Sequence, residues 1–363
     1  MTLRLLQGGR ARGPVWCLVL LLVACGTERT ATTDTAHLRR PGAVADLTGA
    51  GATFPYPLYA RWFGEWAQRT GVRINYQSIG SGGGVRQLTA GTVDFGASDV
   101  PLTAEEQQAM APRRVLQVPT AVGAVAITYN LDGLAAPLRL SGSALAAIFD
   151  GAITRWNDPR LVALNPGVTL PARDVLVVYR ADGGGTSFIM GSYLASVSPA
   201  WASRGGSKEV RWPVGIGGRG NEGVAAQVKA MEGAIGYIEV VYARQNRLPT
   251  AELETASGTF VAPTTEHVRA AADTATAGNT DPTRAAAINA PGPKSYPITS
   301  LTWLLLPLDA EHRDGTRELA RFLRWALREG SATALDLGYV PLPDRLRDRV
   351  LAEVDAAVSG SPP

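Results

Sequence analysis

The chain has 363 residues, with 35 Lys and Arg, 32 Asp and Glu, 3 His and 2 Cys. Its first 24 residues contain three arginines and no acidic residue, which leaves 32 basic and 32 acidic residues in the rest of the chain. A neutral body argues against nucleic acid or a broad anionic membrane surface as a partner, and the length is sufficient for two domains.

The N-terminal segment has the pattern of an export signal. Arginines precede an apolar run over residues 15–23, which is too short to span a membrane, and the run closes on Leu-Val-Ala-Cys25. This ending resembles the bacterial lipoprotein cleavage box, which implies a signal peptide over residues 1–24 and a lipid on Cys25. The alternative is an ordinary secretory signal in which Cys25 has no role. Residues 25–45 lack apolar periodicity and predict a flexible tether.

The body of the chain, from Asp46, alternates strand-like and helical segments, which indicates the α/β class. Small polar residues follow three of the predicted strands, and in open α/β sheets that edge is where ligands bind. The first half predicts strands at 47–51, 72–76, 93–99 and 121–129, a helix from Phe54 to Gly71, and a second helix after the glycine loop 80–84.

The second half predicts the same alternation. A helix capped at Ser141 and a strand at 175–179 precede a helix at 186–196. Residues 250–293, rich in Ala, Thr, Gly and Pro, are expected to be surface structure. The remaining predicted elements are a strand at 298–306 and helices at 316–328 and 342–358.

The residues from Arg180 to Phe188, Arg-Ala-Asp-Gly-Gly-Gly-Thr-Ser-Phe, have the chemistry of an anion-binding loop. Glycines let backbone N–H groups come close to a ligand, and a helix N-terminus adds about half a positive charge. Arg180 supplies planar donors that match an oxyanion, and Asp182 is spaced to orient it. The alternative for this pair is an ordinary surface ion pair, which contributes about 0 to 1 kcal/mol.

Motifs for other functions are weak or missing. The glycines from Gly215 to Gly220 match the dinucleotide-binding pattern only formally, because no long apolar strand precedes them, and a close-packed turn near an interdomain cleft is the favoured interpretation. No catalytic or zinc motif is present, and Ser81 or Ser187 would lack a visible base as a nucleophile. The sequence therefore predicts no enzyme, no cofactor and no metal site.

Seven motifs resemble, in the same order along the chain, those of the phosphate-binding lipoproteins of phosphate-specific ABC transporters. The resemblance implies a two-domain periplasmic-binding-protein-like fold of type II, with two hinge strands and the ligand in the interdomain cleft. It divides the body into domain I, residues 46–127 and 300–355, and domain II, residues 128–299. The motifs are Thr48-Gly-Ala-Gly-Ala-Thr-Phe-Pro55, Gly80-Ser-Gly-Gly-Gly-Val85, Val93-Asp-Phe-Gly-Ala-Ser-Asp99, Arg180 to Phe188, Trp212-Pro-Val-Gly-Ile-Gly-Gly-Arg-Gly-Asn221, Gly233-Ala-Ile-Gly-Tyr237 and Pro297-Ile-Thr-Ser300.

The resemblance also implies the residues of a phosphate site. At Gly184 the family commonly has a serine whose hydroxyl contacts the ligand, so this chain lacks one side-chain donor. The missing bond predicts weaker binding by about 0.5 to 1.5 kcal/mol or more, unless a backbone N–H or water substitutes. For the hydroxyl residues the alternative is helix capping alone, which is compatible with ligand contact. The implied site residues are Thr53, Phe54 through its backbone N–H, Ser81, Asp99, Arg180, Asp182, Gly184, Gly185 and Thr186.

Asp99 bears on which anion the site accepts. A carboxylate repels an anion unless the ligand brings a proton, which phosphate does at neutral pH and sulfate does not. Sites built around a required hydrogen bond reject analogues by roughly ten-thousand-fold. The alternative is that Asp99 only caps a helix that begins near Thr103.

Together, the residues and the resemblance predict a receptor that captures inorganic phosphate and delivers it to the permease and ATPase of an ABC transporter. It is predicted to be an exported monomer, periplasmic or on the cell surface, anchored to a membrane by the lipid on Cys25. The alternatives are a receptor of the same fold for sulfate, molybdate or a phosphonate, and a secreted phosphatase for which phosphate is the product.

Overall fold

The computed structural model describes residues 46–277, 287–308 and 313–359, which all belong to one compact unit. The predicted signal peptide, the lipidated Cys25 and the tether lie outside the described residues. Within these three ranges, no helix is long and apolar enough to cross a membrane.

Eight strands form one mixed sheet, in the order β2-β1-β3-β11-β4-β8-β6-β7, and three short strands form a second sheet, in the order β10-β9-β5. The strands are β1 Leu47–Gly51, β2 Ile74–Ser78, β3 Phe95–Ser98, β4 Val115–Tyr129, β5 Arg139–Leu140, β6 Leu176–Arg180, β7 Ile216–Gly218, β8 Ala234–Glu239, β9 Glu252–Glu254, β10 Phe260–Val261 and β11 Thr299–Pro307. β1, β2 and β3 are parallel to one another, as are β6, β7 and β8. Each parallel set therefore brings its carboxyl ends to one edge.

Helices connect and cover these strands, as expected for the α/β class. They are α1 Tyr56–Thr70, α2 Ser81–Thr89, α3 Ala104–Ala109, α4 Gly142–Phe149, α5 Pro159–Leu164, α6 Gly185–Val197, α7 Gly220–Ala230, α8 Val240–Asn246, α9 Thr265–Thr276, α10 Arg313–Arg328, α11 Ser331–Leu337 and α12 Asp344–Ser359. The predicted start of α4 is confirmed, because the Ser141 hydroxyl accepts a hydrogen bond from Ala144 N. The predicted end of α1 is also confirmed, since Gly71 caps it at φ 79°.

β4 is shared by two parts of the large sheet. Its residues up to Ala124 pair with β11, and its residues from Val125 pair with β8. We call β2, β1, β3, β11 and residues 115–124 the first half-sheet, and residues 125–129, β8, β6 and β7 the second half-sheet. The change of partner lies close to the predicted domain boundary after residue 127, and the division into two domains stays a prediction.

An aromatic cluster fixes α1 on the first half-sheet. Phe63 of α1 lies 5.9 Å from Phe95 of β3 and 5.1 Å from Phe322 of α10, measured between ring centroids. Trp62 donates its indole N–H to the carbonyl of Gly330 at 2.9 Å. Burial of such large rings dominates core energetics, so the loop between β1 and α1 has a rigid base.

Two expectations about local structure were wrong. The glycine loop 80–84 is instead the start of α2, which begins at Ser81. Its glycines serve close packing, because a Cβ atom at Gly84 would lie 2.4 Å from Gly51 Cα. The segment 250–293 is not only surface structure, since Leu253 and one face of α9, with Val268, are buried.

Candidate anion-binding site

Three loops of the first half-sheet carry polar residues to its carboxyl edge. Thr53 and Phe54 follow β1, Ser81 opens α2 after β2, and Asp99 follows β3. Thr53, Ser81 and Asp99 are buried, at 2%, 0% and 1% exposure. The Phe54 ring packs in the core 6.4 Å from the Tyr339 ring, so its backbone is the part available to a ligand. The predicted residues of this half are thus brought to one edge.

Asp99 is held by residues of two different segments, β11 and the start of α2. The Thr302 hydroxyl of β11 donates to Asp99 Oδ1 at 2.8 Å, and the Ser81 hydroxyl lies 3.3 Å from Oδ2. Ser81 Oγ accepts in turn from Asp99 N at 3.1 Å. Asp99 does not cap the next helix, because Thr103 forms a capping box with Glu106 there. The capping alternative for Asp99 is therefore wrong, and its carboxylate faces the interior.

The second half-sheet contributes the loop after β6. Arg180 is 3% exposed, and its guanidinium bonds Asp182 through Nε at 3.2 Å and through Nη2. Arg180 Nη1 donates to Thr186 Oγ1 at 2.9 Å, while Gly220 N donates to Asp182 Oδ1 at 2.8 Å. This is a buried, oriented guanidinium rather than an exposed surface pair. Asp182 binds the Nε and Nη2 atoms of the Arg180 guanidinium and holds its charge at the N-terminus of α6.

The loops of the two half-sheets touch each other at the candidate site. A Cβ atom at Gly185 would lie 2.5 Å from Asp99 Cβ and 2.6 Å from Ser81 Oγ. Gly82 N donates to the carbonyl of Gly183 at 3.0 Å, so the first turn of α2 meets the loop before α6 backbone to backbone. Only glycine permits approach this close. The candidate site residues therefore come from both half-sheets, and their loops are in direct contact.

Gly184 sits directly against the arginine. A Cβ atom at this position would lie 2.4 Å from Arg180 Cζ, so the guanidinium occupies the space that a larger residue would need. The N–H of Gly184 donates to the carbonyl of Lys208 at 3.1 Å. Position 184 therefore holds the Lys208 loop in place, and its N–H points toward that loop.

Burial and charge set the protonation of the site acids. Burial raises the pKa of Asp99 to about 7, against the opposing effects of the Thr302 hydrogen bond and the Arg180 charge. Burial works in the same direction on Asp182, but the Arg180 charge and its hydrogen bonds outweigh it and hold the pKa below the ordinary value. Asp182 is thus an anion paired with Arg180, whereas burial favours the protonated form of Asp99.

Sequence reasoning missed two polar residues that contact the predicted ones. Asn221, at the start of α7, donates from Nδ2 to Thr53 Oγ1 at 2.7 Å, and Thr302 holds Asp99 as described above. Asn221 is the last residue of one of the seven motifs. It follows β7, whose carboxyl end lies at the same edge of the sheet as that of β6, and this position is the signal that would have identified it. For Thr302, in the middle of an apolar strand, no such local signal exists.

A cavity of about 670 Å³ lies beside the site. It runs between α2 and α3 of one side and Phe188 and the loop 206–209 of the other. Lys208 Nζ and Glu106 Oε1 form an ion pair at 2.5 Å in its wall. The residues that the structure describes contain no cluster of His, Cys, Asp or Glu suited to a metal ion.

Comparison with known proteins identifies the family. A family model described as PBP superfamily domain matches residues 27–329. The phosphate-binding protein PstS of Pasteurella multocida is 43% identical over 317 residues, which cover 87% of this chain and 91% of that protein. The PstS of Xylella fastidiosa strain Temecula1 is 39% identical over 329 residues, which cover 90% of each chain.

Solved structures share the fold at lower identity. A phosphate-binding protein from Stenotrophomonas maltophilia aligns with a TM-score of 0.64 at 20% identity, covering 85% of this chain and 94% of that one. A human phosphate binding apolipoprotein aligns with a TM-score of 0.68 at 22% identity and the same coverage. The predicted α/β fold of the periplasmic-binding-protein type is therefore confirmed. The chain belongs to the PBP superfamily and, within it, to the family of phosphate-binding proteins that includes its PstS relatives.

Proposed function

We propose that this protein captures inorganic phosphate between its two half-sheets and delivers it to the permease of an ABC transporter. The single observation that carries the proposal is the contact between Asp99 and Gly185. It joins a buried proton acceptor of one half-sheet to the helix N-terminus and guanidinium of the other. An anion that carries its own proton satisfies both groups at once.

The proposed contacts follow from which groups face the site. Arg180 and the N-terminal amides of α6, at Gly185 and Thr186, balance the negative charge of the ion. The Phe54 N–H and the Thr53 hydroxyl supply further donors from the other side, and the Ser81 hydroxyl does so by turning its proton from Asp99 to the ion. Asp182 orients Arg180, and Asp99 accepts the proton of the ion.

Calorimetric titration with phosphate and with sulfate at pH 8 tests this assignment. We expect phosphate to bind tightly and sulfate to bind at least a thousandfold more weakly, because sulfate brings no proton to Asp99. In Asp99→Asn the ratio of the two affinities is expected to shrink, while Asp46→Asn, at an exposed surface ion pair, serves as the matched control. Equal selectivity in Asp99→Asn and the control would refute the proposed role of Asp99. Preferred binding of sulfate, molybdate or a phosphonate would assign the receptor to that anion.

We further propose that the site binds without chemical turnover. Both acids at the proposed site already have a role in binding: Asp182 pairs with Arg180, and Asp99 accepts the proton of the ion. Release of phosphate from a phosphomonoester, measured with the titrated protein, is expected to equal the buffer rate. Turnover that disappears in Asp99→Asn would assign a phosphatase instead.

We propose export and lipid anchoring at Cys25, in line with the lipoprotein-like ending of the N-terminal segment. In a bacterial host, the full chain is expected in the membrane fraction and to incorporate a labelled fatty acid. The variant Cys25→Ser is expected to lose the label. A soluble, unlabelled wild-type protein would favour the ordinary secretory signal.

A further inference from the structure

Asn221 lies at the meeting point of the two half-sheets. It is fully buried at the first turn of α7. Its Nδ2 atom lies 2.7 Å from Thr53 Oγ1, in the first half-sheet's loop, and 3.4 Å from Thr186 Oγ1, at the start of α6. Both of these hydroxyls belong to the proposed phosphate site.

The orientation of the Asn221 amide is fixed by a backbone group. Glu239 N, at the end of β8, donates to Asn221 Oδ1 at 2.9 Å. A backbone N–H can only donate, so the atom that faces it has to be the amide oxygen. The NH₂ group of Asn221 is therefore the one that faces the two threonine hydroxyls.

This orientation dictates where the hydroxyl protons point. A threonine hydroxyl has one proton and two lone pairs, and a lone pair that accepts from Asn221 leaves the proton to be donated elsewhere. Thr53 Oγ1 accepts from Asn221, while Thr186 Oγ1 also accepts from Arg180 Nη1 at 2.9 Å. Each hydroxyl thus accepts from the protein, which leaves its own proton available for donation to a bound ion.

We propose that Asn221 is a positioning residue that makes Thr53 a hydrogen-bond donor to the bound anion. The inference rests on the proposed phosphate function and adds the group that presets the proton direction. A hydroxyl that is already oriented needs no reorganisation when the ion arrives, which favours binding. Asn221 acts through Thr53 far more than through Thr186, because Arg180 already orients the latter.

A set of matched double variants isolates this effect. Asn221→Ala is expected to weaken phosphate binding about tenfold in the wild-type background, by the worth of one hydrogen bond to a charged ligand. In Thr53→Val, which lacks the hydroxyl, the same change is expected to weaken binding less than about twofold. Thr186→Val is the matched control. In this background Asn221→Ala is expected to weaken phosphate binding about tenfold, as it does in the wild-type background.

Isothermal titration supplies the dissociation constants, and thermal unfolding without phosphate reports the structural cost of losing the Glu239 contact. If Asn221 were only structural, Asn221→Ala would lower affinity by the same factor in all three backgrounds, and that result would overturn the inference. An equal reduction of the effect in both valine backgrounds would overturn it as well. A wild-type protein that binds no phosphate would refute the proposed function itself, which separates the two failures.

Discussion

Asp99 occupies a position where a carboxylate is poorly solvated. Burial raises its pKa from the ordinary value of 3.8 to about 7, and the neighbouring hydroxyls and Arg180 oppose this shift without cancelling it. The pKa of this buried carboxyl therefore lies much closer to neutral pH than that of an exposed aspartate. A single proton can therefore be shared between Asp99 and a phosphate ion, whose own second proton also titrates near neutrality.

We expect Asp99→Asn to stabilise the phosphate-free protein at pH 8 and to change its stability little near pH 4. An acid whose pKa is raised on folding binds more protons when folded, so stability falls as pH rises from 3.8 to about 7. The variant lacks this titration, and its melting temperature at pH 8 is expected to exceed that of the wild type by about 5 °C. Calorimetric melting in phosphate-free buffer checks this, and a difference that stays constant with pH would contradict it.

Gly184 offers a second test at the scale of one residue. We expect Gly184→Ala to weaken phosphate binding, because its Cβ would overlap the Arg180 guanidinium 2.4 Å away and displace it. Gly184→Ser adds the same atom together with a hydroxyl donor. Its affinity is expected to be about tenfold higher than that of the alanine variant, by the worth of one hydrogen bond to a charged group. Equal titration constants for the two variants would show that a hydroxyl at position 184 adds nothing to binding in this loop.

At the scale of elements, the N-terminal ends of α2 and α6 lie in direct backbone contact. Gly82 N bonds the carbonyl of Gly183, and a Cβ atom at Gly80 would lie 2.6 Å from Asp182 Oδ2. The glycines therefore bring two helix N-termini to one point, and each terminus contributes its partial positive charge there. Close approach, rather than loop flexibility, is what these glycines provide.

Gly84→Ala is expected to destabilise the protein by about 2 kcal/mol or more, because its Cβ would lie 2.4 Å from Gly51 Cα, with backbone on both sides. The matched control is Gly64→Ala in α1, where no atom lies within 4 Å of the added carbon. There the change is expected to stabilise by about 0.5 to 1 kcal/mol, because alanine favours a helix interior. Urea unfolding of both variants provides the comparison, and equal effects would argue against packing as the cause.

The outcome for α2 illustrates what a sequence can and cannot predict. The helix from Phe54 to Gly71 follows from local periodicity and a glycine stop, and the structure has it as α1. The start of α2 depends on packing against Gly51, a partner distant in the chain that no local pattern specifies. Thr302 and the inward orientation of Asn221 depend in the same way on the pairing of strands. The clustering of the candidate site loops at one edge was predictable because parallel strands bring their ends together, whereas the contacts that support these loops were not.

At the scale of the whole molecule, an ion pair joins the two sides of the cavity beside the site. Lys208 and Glu106 are only 14% and 25% exposed, so their attraction is less screened than that of a surface pair. We expect Lys208→Ala to speed phosphate release about two- to fivefold, by the roughly 0.5 to 1 kcal/mol of a partly exposed pair.

Lys294→Ala is the control for this prediction, because its pair with Glu266 is exposed at 68% and 67%. Stopped-flow measurements of release at low and high salt compare the two variants. Release that is equally fast in both variants would show that the Lys208 pair has no part in holding the halves together.

The long strand β4 determines how these halves can separate. It passes from β11 to β8 between Ala124 and Val125 with no intervening loop. Because the strand is continuous there, any separation of the half-sheets along β4 has to be accommodated by the backbone dihedral angles near this point. On the proposed function, the opening that releases phosphate is therefore expected to be a bend or twist of β4 at residues 124–125.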